Sequence, residues 1–414
     1  MKRPLLAIGL ALAAVPASAD TNLRVHYAIP TIWADTQAAL AEAFMAANPD
    51  ITIELDGPAE GYGDGVQRLL RESVAGTAPD VAWVGLNLWR VLEARDLAQP
   101  MDDFLPEDPE AMGYTGALLS LGTFEGNQYA LGTSASTLVA YVNPDLVARA
   151  GGSMEDFPTD YDGIIDLAAK IDALDATTEG VWISPHDWRF QSLLGAHGGR
   201  PMNAEETEIT FDSEAGIAAA SLYSRFAVEG GMSTMSEDDA RQAFPAGTLG
   251  IMFESSSLMT RFSEGAGDRF EVTVKPMPIV APDEEVYLPT GGSGIVMLTD
   301  DAEKQQAAWD YIAFVTSPEA QKIIVETTGY APTNALVVED ESYLGAFYET
   351  NPNARVAHAQ VARYAGPWYA YPGAEGVAVT DVIAADLLEI VDGADPRATI
   401  EELADTTRSM LGFD

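Results

Sequence analysis

From Leu23 to Val84 the apolar positions change spacing from one segment to the next. Leu23 to Ala28 is a short, β-rich run, whereas Ala38 to Ala47 places Leu40, Ala41, Phe44 and Met45 on one helical face. Asn48-Pro49-Asp50 stops that helix before the run Ile51 to Leu55. Val66, Leu69, Leu70 and Val74 then share a face within Val66 to Ala75, and Pro79-Asp80 precedes the apolar strand Val81 to Val84. Strand alternating with helix predicts a parallel sheet, because parallel strands need crossover connections. Right-handed crossovers put helices on both faces, the doubly wound arrangement.

A second alternating block begins near Tyr129. Leu138 to Val142, Val181 to Ser184, Gly247 to Phe253 and Val272 to Pro276 read as strands, with helices at Tyr161 to Leu174 and Ala215 to Val228. Gly291 to Leu298 is a further strand, followed by a helix from Ala302 to Thr316. Ser317-Pro318 opens the next helix as cap and first-turn proline, and Gly329 closes it in the left-handed conformation that glycine adopts without a Cβ clash. Two helices, Asp381 to Val391 and Pro396 to Leu411, end the chain. No repeat of fixed period and no low-complexity run interrupts this order.

Charge narrows the possible partners. The 414 residues carry 22 Lys+Arg against 64 Asp+Glu, a formal charge of −42. No basic stripe is left to neutralise phosphates, which excludes nucleic acid, and no polybasic segment would attract anionic lipid. Neutral solutes or proteins are the expected partners. With 47% hydrophobic and 21% charged residues the composition is globular, and the length corresponds to roughly two to three domains.

Cysteine is absent, which removes disulfides, thiolate metal sites, a cysteine nucleophile and the acceptor for a lipid anchor. Lys2 and Arg3, the apolar run Leu5 to Val15, and Ala17-Ser18-Ala19 before Asp20 follow the order of a secretory signal covering residues 1–19. That run is too short to span a bilayer, and no later run reaches the roughly 18 apolar residues that a span requires. The expectation is a periplasmic protein, neither lipid-anchored nor inserted in the membrane.

The fingerprints of catalysis and cofactor binding do not occur: no H-E-x-x-H, no G-x-S-x-G, no P-loop lysine and no calcium loop. Neither a catalytic residue nor a cofactor nor a metal is expected; His26, His186, His197 and His358 are scattered, with no pair at ligand spacing. Gly61-Tyr62-Gly63-Asp64-Gly65 has the spacing of a tight strand-to-helix turn rather than of a dinucleotide fingerprint, and such a turn still presents backbone N–H groups. The acidic pairs Asp102/Asp103, Asp238/Asp239 and Asp300/Asp301 would make a glycosidase dyad only if set across a sugar subsite, and solvated surface or helix caps is the simpler reading. Aromatic residues near turns are more informative. Trp33, Tyr62, Trp89, Trp188, Tyr330, Trp368 and Tyr369 lie at loop or element ends, where rings stack on the apolar faces of sugars and polar neighbours bind hydroxyls.

Several segments resemble the extracellular solute-binding proteins of ABC importers, in particular the carbohydrate group that contains maltose-binding protein. They are Phe44 to Ile53, Gly76 to Val84, the hinge-like Gly126 to Asn143, Phe157 to Ile171, Gly247 to Ser257, and above all Gly291 to Asn334 with GGSGIVML, WDYIAFVTSPEAQ and TGYAPTN in order. Thr328-Gly329-Tyr330, Phe347 to Pro352 and Val382 to Glu389 are most similar to the glycerol-3-phosphate-binding branch of that group. The resemblance implies an α/β, two-lobe periplasmic binding protein type II fold, with lobe one formed by 20–132 and 284–330 and lobe two by 133–283 and 331–414. The ligand would lie between the lobes.

It further implies contacts at Tyr62, the turn Ser134 to Ser136, Trp188, Ser255 or Ser256, Gly292 and Tyr330. Trp188 with Trp368 or Tyr369 would supply stacking surfaces, and Tyr62, Ser136, Glu254, Ser255 and Tyr330 would bind hydroxyls. Gly291-Gly292 would allow close backbone approach. Trp33, Asn87, Ser134 and Arg189 complete the candidate set. Where the family carries an acidic ligand residue this chain has Leu86 or Asn87, and where it carries a phosphate-binding arginine the chain has Gly373, with no Arg between Trp368 and Asp386. A buried phosphate needs a guanidinium or a helix N-terminus, so a phosphorylated ligand would require Arg189 or Arg363 to face the cleft. The implied function is the monomeric substrate-binding component of an ABC importer for a sugar, oligosaccharide or polyol, handing its ligand to a membrane permease by lobe closure. A binder of glycerol 3-phosphate, a sulfo-sugar or another anionic glycerol derivative is the alternative, ahead of a betaine binder and a secreted glycoside hydrolase.

Overall fold

A computed structural model describes residues 21–282, 286–339, 341–372 and 376–413. The signal-like segment 1–19 and Gly373 lie outside the described residues. Two sheets organise the chain. The first has the strand order Ile51–Leu55, Thr21–His26, Val81–Gly85, Gly291–Met297, Ala130–Ser136. Its first three strands are parallel, as the alternating pattern predicts. Gly291–Met297 runs antiparallel to both of its neighbours, so the sheet is mixed. Periodicity along the chain carries no direction, and this strand returns from far down the sequence.

The strand Val81–Gly85 shows why both faces of this sheet need helices. Successive side chains point to opposite faces. Val81 and Trp83 enter a cluster with Leu23, Phe44, Tyr311 and Ile312, whereas Ala82 and Val84 join Val66, Leu69, Trp89 and Leu92. All five residues of the strand are buried. Each fully buried aliphatic or Phe side chain contributes about 1.5–3 kcal/mol, so an apolar run this short is enough to fix the strand's place.

The second sheet has the order Thr273–Lys275, Leu138–Val142, Leu249–Ser255, Glu179–Ile183. Its core collects Leu138 to Val142, Ile164, Ile165, Trp182, Phe190, Phe226 and Phe253, closed by Ile383, Leu387 and Leu403 from the two C-terminal helices. Chain ends and caps follow the sequence signals closely. Ser317 Oγ accepts from the Ala320 N–H at the head of Pro318–Thr328, and Gly329 ends that helix at φ 77°.

Several elements depart from expectation for local reasons. The first helix runs over Pro30–Ala47, starting well before Ala38, because Thr36 and Gln37 are polar yet buried and break the apolar stripe. Asp187–Ala196 is a helix with every residue buried, so it has no polar face for periodicity to reveal. Glu237–Ala246 contains Pro245, and Pro352–Tyr364 opens on its own proline.

The chain passes between the sheets at points that lie side by side. Ser134, Ala135 and Ser136 pair with Gly291 to Ser293 in the first sheet, and beyond Thr137 the strand Leu138–Val142 belongs to the second. Leu288 belongs to the second core and Leu288–Pro289 pairs with Ala365–Gly366, while beyond Thr290 the strand Gly291–Met297 belongs to the first sheet. Ala331 lies beside them, its N–H and carbonyl exchanging bonds with Ala135 at 2.9 and 3.0 Å, and the residues that follow stay with the first side, Thr333 bonding to Gly132 and Asn334 to Met112 and Thr316. Gln360 ties this bundle together, donating to Thr137 Oγ1 and the Leu138 carbonyl at 2.7 Å each.

Candidate functional site

The expected residues fall into three groups around the line where the two cores meet. On the first side, the Trp33 indole N–H donates to the Tyr62 hydroxyl at 2.8 Å, while the Trp33 ring stacks on Tyr330 at 5.5 Å and tilts against Trp83 at 5.3 Å. Trp33 is fully buried and acts as the support that aims Tyr62. Tyr62 opens the helix Tyr62–Val74 and lies against the backbone of Gly85. A methyl group at Gly85 would come within 3.3 Å of the Tyr62 ring and 2.9 Å of Asn87 Oδ1, so this glycine lets the two candidates converge. Burial raises the Tyr62 phenol above its ordinary value, although bonds from Ser293 and Trp33 oppose that.

The middle group is the seam between the sheets. Ser134 Oγ accepts from the Ser293 N–H at 3.0 Å and meets the Ser293 hydroxyl at 3.0 Å, so the sheet itself satisfies it. Gly292 has φ 119°, and a methyl there would lie 2.2 Å from the Ser134 carbonyl; strand packing requires this glycine. Gly291 works differently. A methyl on it would sit 3.0 Å from Ser136 Oγ and 3.3 Å from the Trp188 ring, so its bare backbone lets a ring from the second core lie across a strand of the first. Tyr330 also bridges, its hydroxyl reaching Ser257, which in turn meets the Ser255 hydroxyl at 2.8 Å.

Trp188, Trp368 and Tyr369 form the second side. The Trp188 indole N–H donates to the Pro289 carbonyl at 3.0 Å, its ring centre lies 6.1 Å from that of Trp368, and the Trp368 indole N–H donates to Asp187 Oδ2 at 3.2 Å. Gln191 fixes Tyr369 by donating to its carbonyl and accepting from its N–H, both at 3.1 Å. Burial pushes the Asp187 carboxyl up to about 6, against the bonds from Gln191 and Trp368.

Two expected ligand residues are engaged elsewhere. Glu254 is fully buried; it accepts from Arg189 at 2.7 Å, from Arg241 at 3.1 Å and from the Ser255 N–H at 2.6 Å. Arg189 also holds Glu237 at 2.8 Å. These side chains form a closed ionic cluster beneath the Asp187–Ala196 helix, and Glu254 keeps no carboxylate oxygen free for a solute hydroxyl.

Between the cores lies a cavity of about 480 Å3. Leu86, Asn87, Trp89, Arg90 and Phe124 line it from the first side; Arg200, Asn203, Glu206, Tyr287, Trp368 and Tyr369 line it from the second. Small-molecule sites commonly fall in this size range and combine aromatic walls with a few placed polar groups. Arg90 lies over the Phe124 ring at 3.7 Å and forms an ion pair with Glu206, which the Tyr369 hydroxyl also reaches. That pair joins the two cores directly. A larger cavity of about 1070 Å3 lies behind, between the helix Met259–Ala266 and residues 347–357, and takes only Tyr330 from the expected set. Among the described residues no cluster of His, Asp and Glu could hold a metal, and no helix is long and apolar enough to cross a membrane.

The sequence profile of the bacterial extracellular solute-binding proteins matches residues 39–356. The chain belongs to that family. Relatives of this solute-binding protein include the sn-glycerol-3-phosphate-binding periplasmic protein UgpB of Escherichia coli K12, 24% identical over 383 residues that cover 86% of this chain and 84% of that protein. Among solved structures, UgpB from Mycobacterium tuberculosis in complex with glycerophosphocholine superposes with a TM-score of 0.81 at 23% identity, covering 94% of this chain and 98% of that one. The sugar-binding protein MalE of Xanthomonas citri gives 0.82 at 16% identity, covering 94% and 97%. At such identities the structures establish the fold, that of type II periplasmic binding proteins.

For this solute-binding protein, sequence reasoning reached Asn87, Trp368 and Tyr369 on the cavity wall and missed Arg90, Arg200, Asn203, Glu206 and Tyr287. Those five lie in segments without a motif. The one available signal was scarcity, since every guanidinium is conspicuous in a chain with 22 cationic residues against 64 carboxylates.

Proposed function

We propose that the protein is the periplasmic substrate-binding component of an ABC importer for a sugar, oligosaccharide or polyol. The observation that carries this reading is the cavity between the two cores, walled by Trp89, Phe124, Tyr287, Trp368 and Tyr369 and set with Asn87 and Asn203. Aromatic faces take the apolar faces of a sugar ring and amides bind its hydroxyls. The printed names of the relatives point the same way: UgpB binds sn-glycerol 3-phosphate, and MalE is a sugar-binding protein.

The two sheets then act as two lobes, joined through Thr137 and Thr290. The protein binds without turnover, as a monomer, and the solute favours the closed form because only that form makes contacts from both sides. The Arg90–Glu206 pair and the Tyr330 contact with Ser257 are of this kind. The closed form is what the permease would recognise. A thermal-shift panel of sugars, oligosaccharides, polyols, amino acids and betaines on residues 20–414 tests the reading. A ligand at about a hundred times its Kd adds roughly 2.7 kcal/mol to the folded state. A shift confined to amino acids or betaines would overturn it, as would steady product release from chromogenic glycosides.

A further inference from the structure

The cavity between the cores has a charge unlike that of the rest of the molecule. The whole chain carries −42, yet the charged residues lining this cavity are Arg90, Arg200 and Glu206, two cations against one anion. The rear cavity follows the general excess instead, with Glu264, Asp268, Glu271 and Glu326 facing a single Lys275.

Two buried donors without acceptors belong to residues that line this cavity. Glu206 is engaged by Arg90. Arg200 has no carboxylate partner among the described residues; it donates to the carbonyl of its neighbour Gly199 at 3.0 Å and lies 4.0 Å over the Tyr287 ring. The Tyr287 hydroxyl is buried with no hydrogen-bond partner, and so is Arg90 Nε. Tyr287 is only 7% exposed, and its ring is seated by two glycines, since a methyl at Gly195 would come within 3.0 Å of it and one at Gly366 within 2.7 Å. A buried donor left unpaired is costly, and a guanidinium beside a phenol is a ready acceptor site for an oxyanion.

We infer that the solute is an acidic member of the class proposed above, a hydroxylated molecule whose oxyanion docks on Arg200 and the Tyr287 hydroxyl. This rests on the sugar or polyol reading and deepens it. Carboxylate, sulfonate and phosphate ester share the required chemistry, an anionic group with several acceptor oxygens. The uncharged part of the solute then lies along Trp368 and Tyr369 toward Asn87.

Calorimetric titration of residues 20–414 with matched pairs tests the assignment: D-glucose against D-glucuronate, glucose 6-phosphate and sulfoquinovose, and glycerol against sn-glycerol 3-phosphate. At least one acid is expected to bind tenfold or more tightly than its neutral partner. Arg200→Gln should weaken that acid tenfold or more and abolish the preference, and Tyr287→Phe should weaken it severalfold, with the apo melting temperature of each variant within a few degrees of the parent. If a neutral member binds as tightly as its acids and Arg200→Gln leaves it unchanged, the inference falls while the sugar reading stands. If no member of either series binds and an amino acid or betaine does, both fall.

Discussion

Two groups of arginines and carboxylates do opposite things. Arg189, Arg241, Glu237 and Glu254 form a closed set, with Glu254 fully buried and held by both guanidiniums. Arg90, Glu206 and Arg200 lie at the seam between the cores, where one pair crosses the gap and one guanidinium is left without a carboxylate among the described residues. Residue type does not separate them; what does is that each guanidinium of the first set has a carboxylate partner, whereas Arg200 has none among the described residues. Buried charges must be matched internally, because an unpaired ion inside costs several kcal/mol. A charge on a cavity wall retains bonding capacity for something that arrives later. On this account Arg189 and Glu254 hold the fold, and Arg90, Arg200 and Glu206 line the cavity proposed for the solute.

The sharpest way to break this contrast is to remove one member of each set. Glu254→Ala removes the fully buried anion that Arg189 and Arg241 share, leaving them only the partly exposed Glu237, and is expected to destabilise the fold by up to about 3–5 kcal/mol in urea unfolding. Arg200→Gln should move the same midpoint very little. Equal losses in the two variants would show that both sets are structural.

A smaller effect comes from pH at the head of the Asp187–Ala196 helix, which carries the closed set. Burial, aided by Arg189, lowers the His186 imidazole to about 4, so between 6.5 and 4 the unfolded chain binds more protons there than the folded one, and stability falls with acid. Asp187 works the other way. With its carboxyl raised to about 6 from 3.8, the folded state takes up the proton first, and stability rises as pH drops through that window. Asp187→Asn should therefore raise stability at pH 7 by up to about 3 kcal/mol and steepen the loss on going to pH 4. A parallel pair of stability–pH curves for parent and variant would remove Asp187 from this account.

The seam pair gives the smallest change. Glu206→Gln keeps the shape but removes the charge opposite Arg90, whose side chain is 29% exposed. A partly exposed pair is worth about 1 kcal/mol or less, so solute affinity should fall severalfold and lose part of its salt dependence, with the melting temperature of the apo protein almost unchanged. Unaltered affinity in calorimetry would mean that the pair does not contribute to closure.

Much of the fold is legible because its signals are local. The apolar run Val81 to Val84, the Ser317 cap and the Gly329 terminator each act within a few residues, and each stands where the sequence puts it. What the chain hides is either direction or uniform burial. Nothing near Gly291 states that its strand will lie antiparallel beside Val81–Gly85, and the helix Asp187–Ala196 has no polar face to betray it. The site is legible in part for the same reason. Trp368 and Tyr369 announce themselves as aromatics near turns and Asn87 through the family resemblance, whereas Arg90 and Arg200 become neighbours of one cavity only after two cores assemble around it. Glu254 reads in the sequence as a hydroxyl partner beside serines, and only the assembled core brings two arginines onto it.

Hydrogen–deuterium exchange of residues 20–414, with and without the solute giving the largest thermal shift, tests most directly whether the space between the cores is the binding site. Protection is expected together at residues 86–92 on one side and at 200–206 and 365–370 on the other. Protection confined to one side, or centred on 259–276 and 347–357 around the rear cavity, would contradict it.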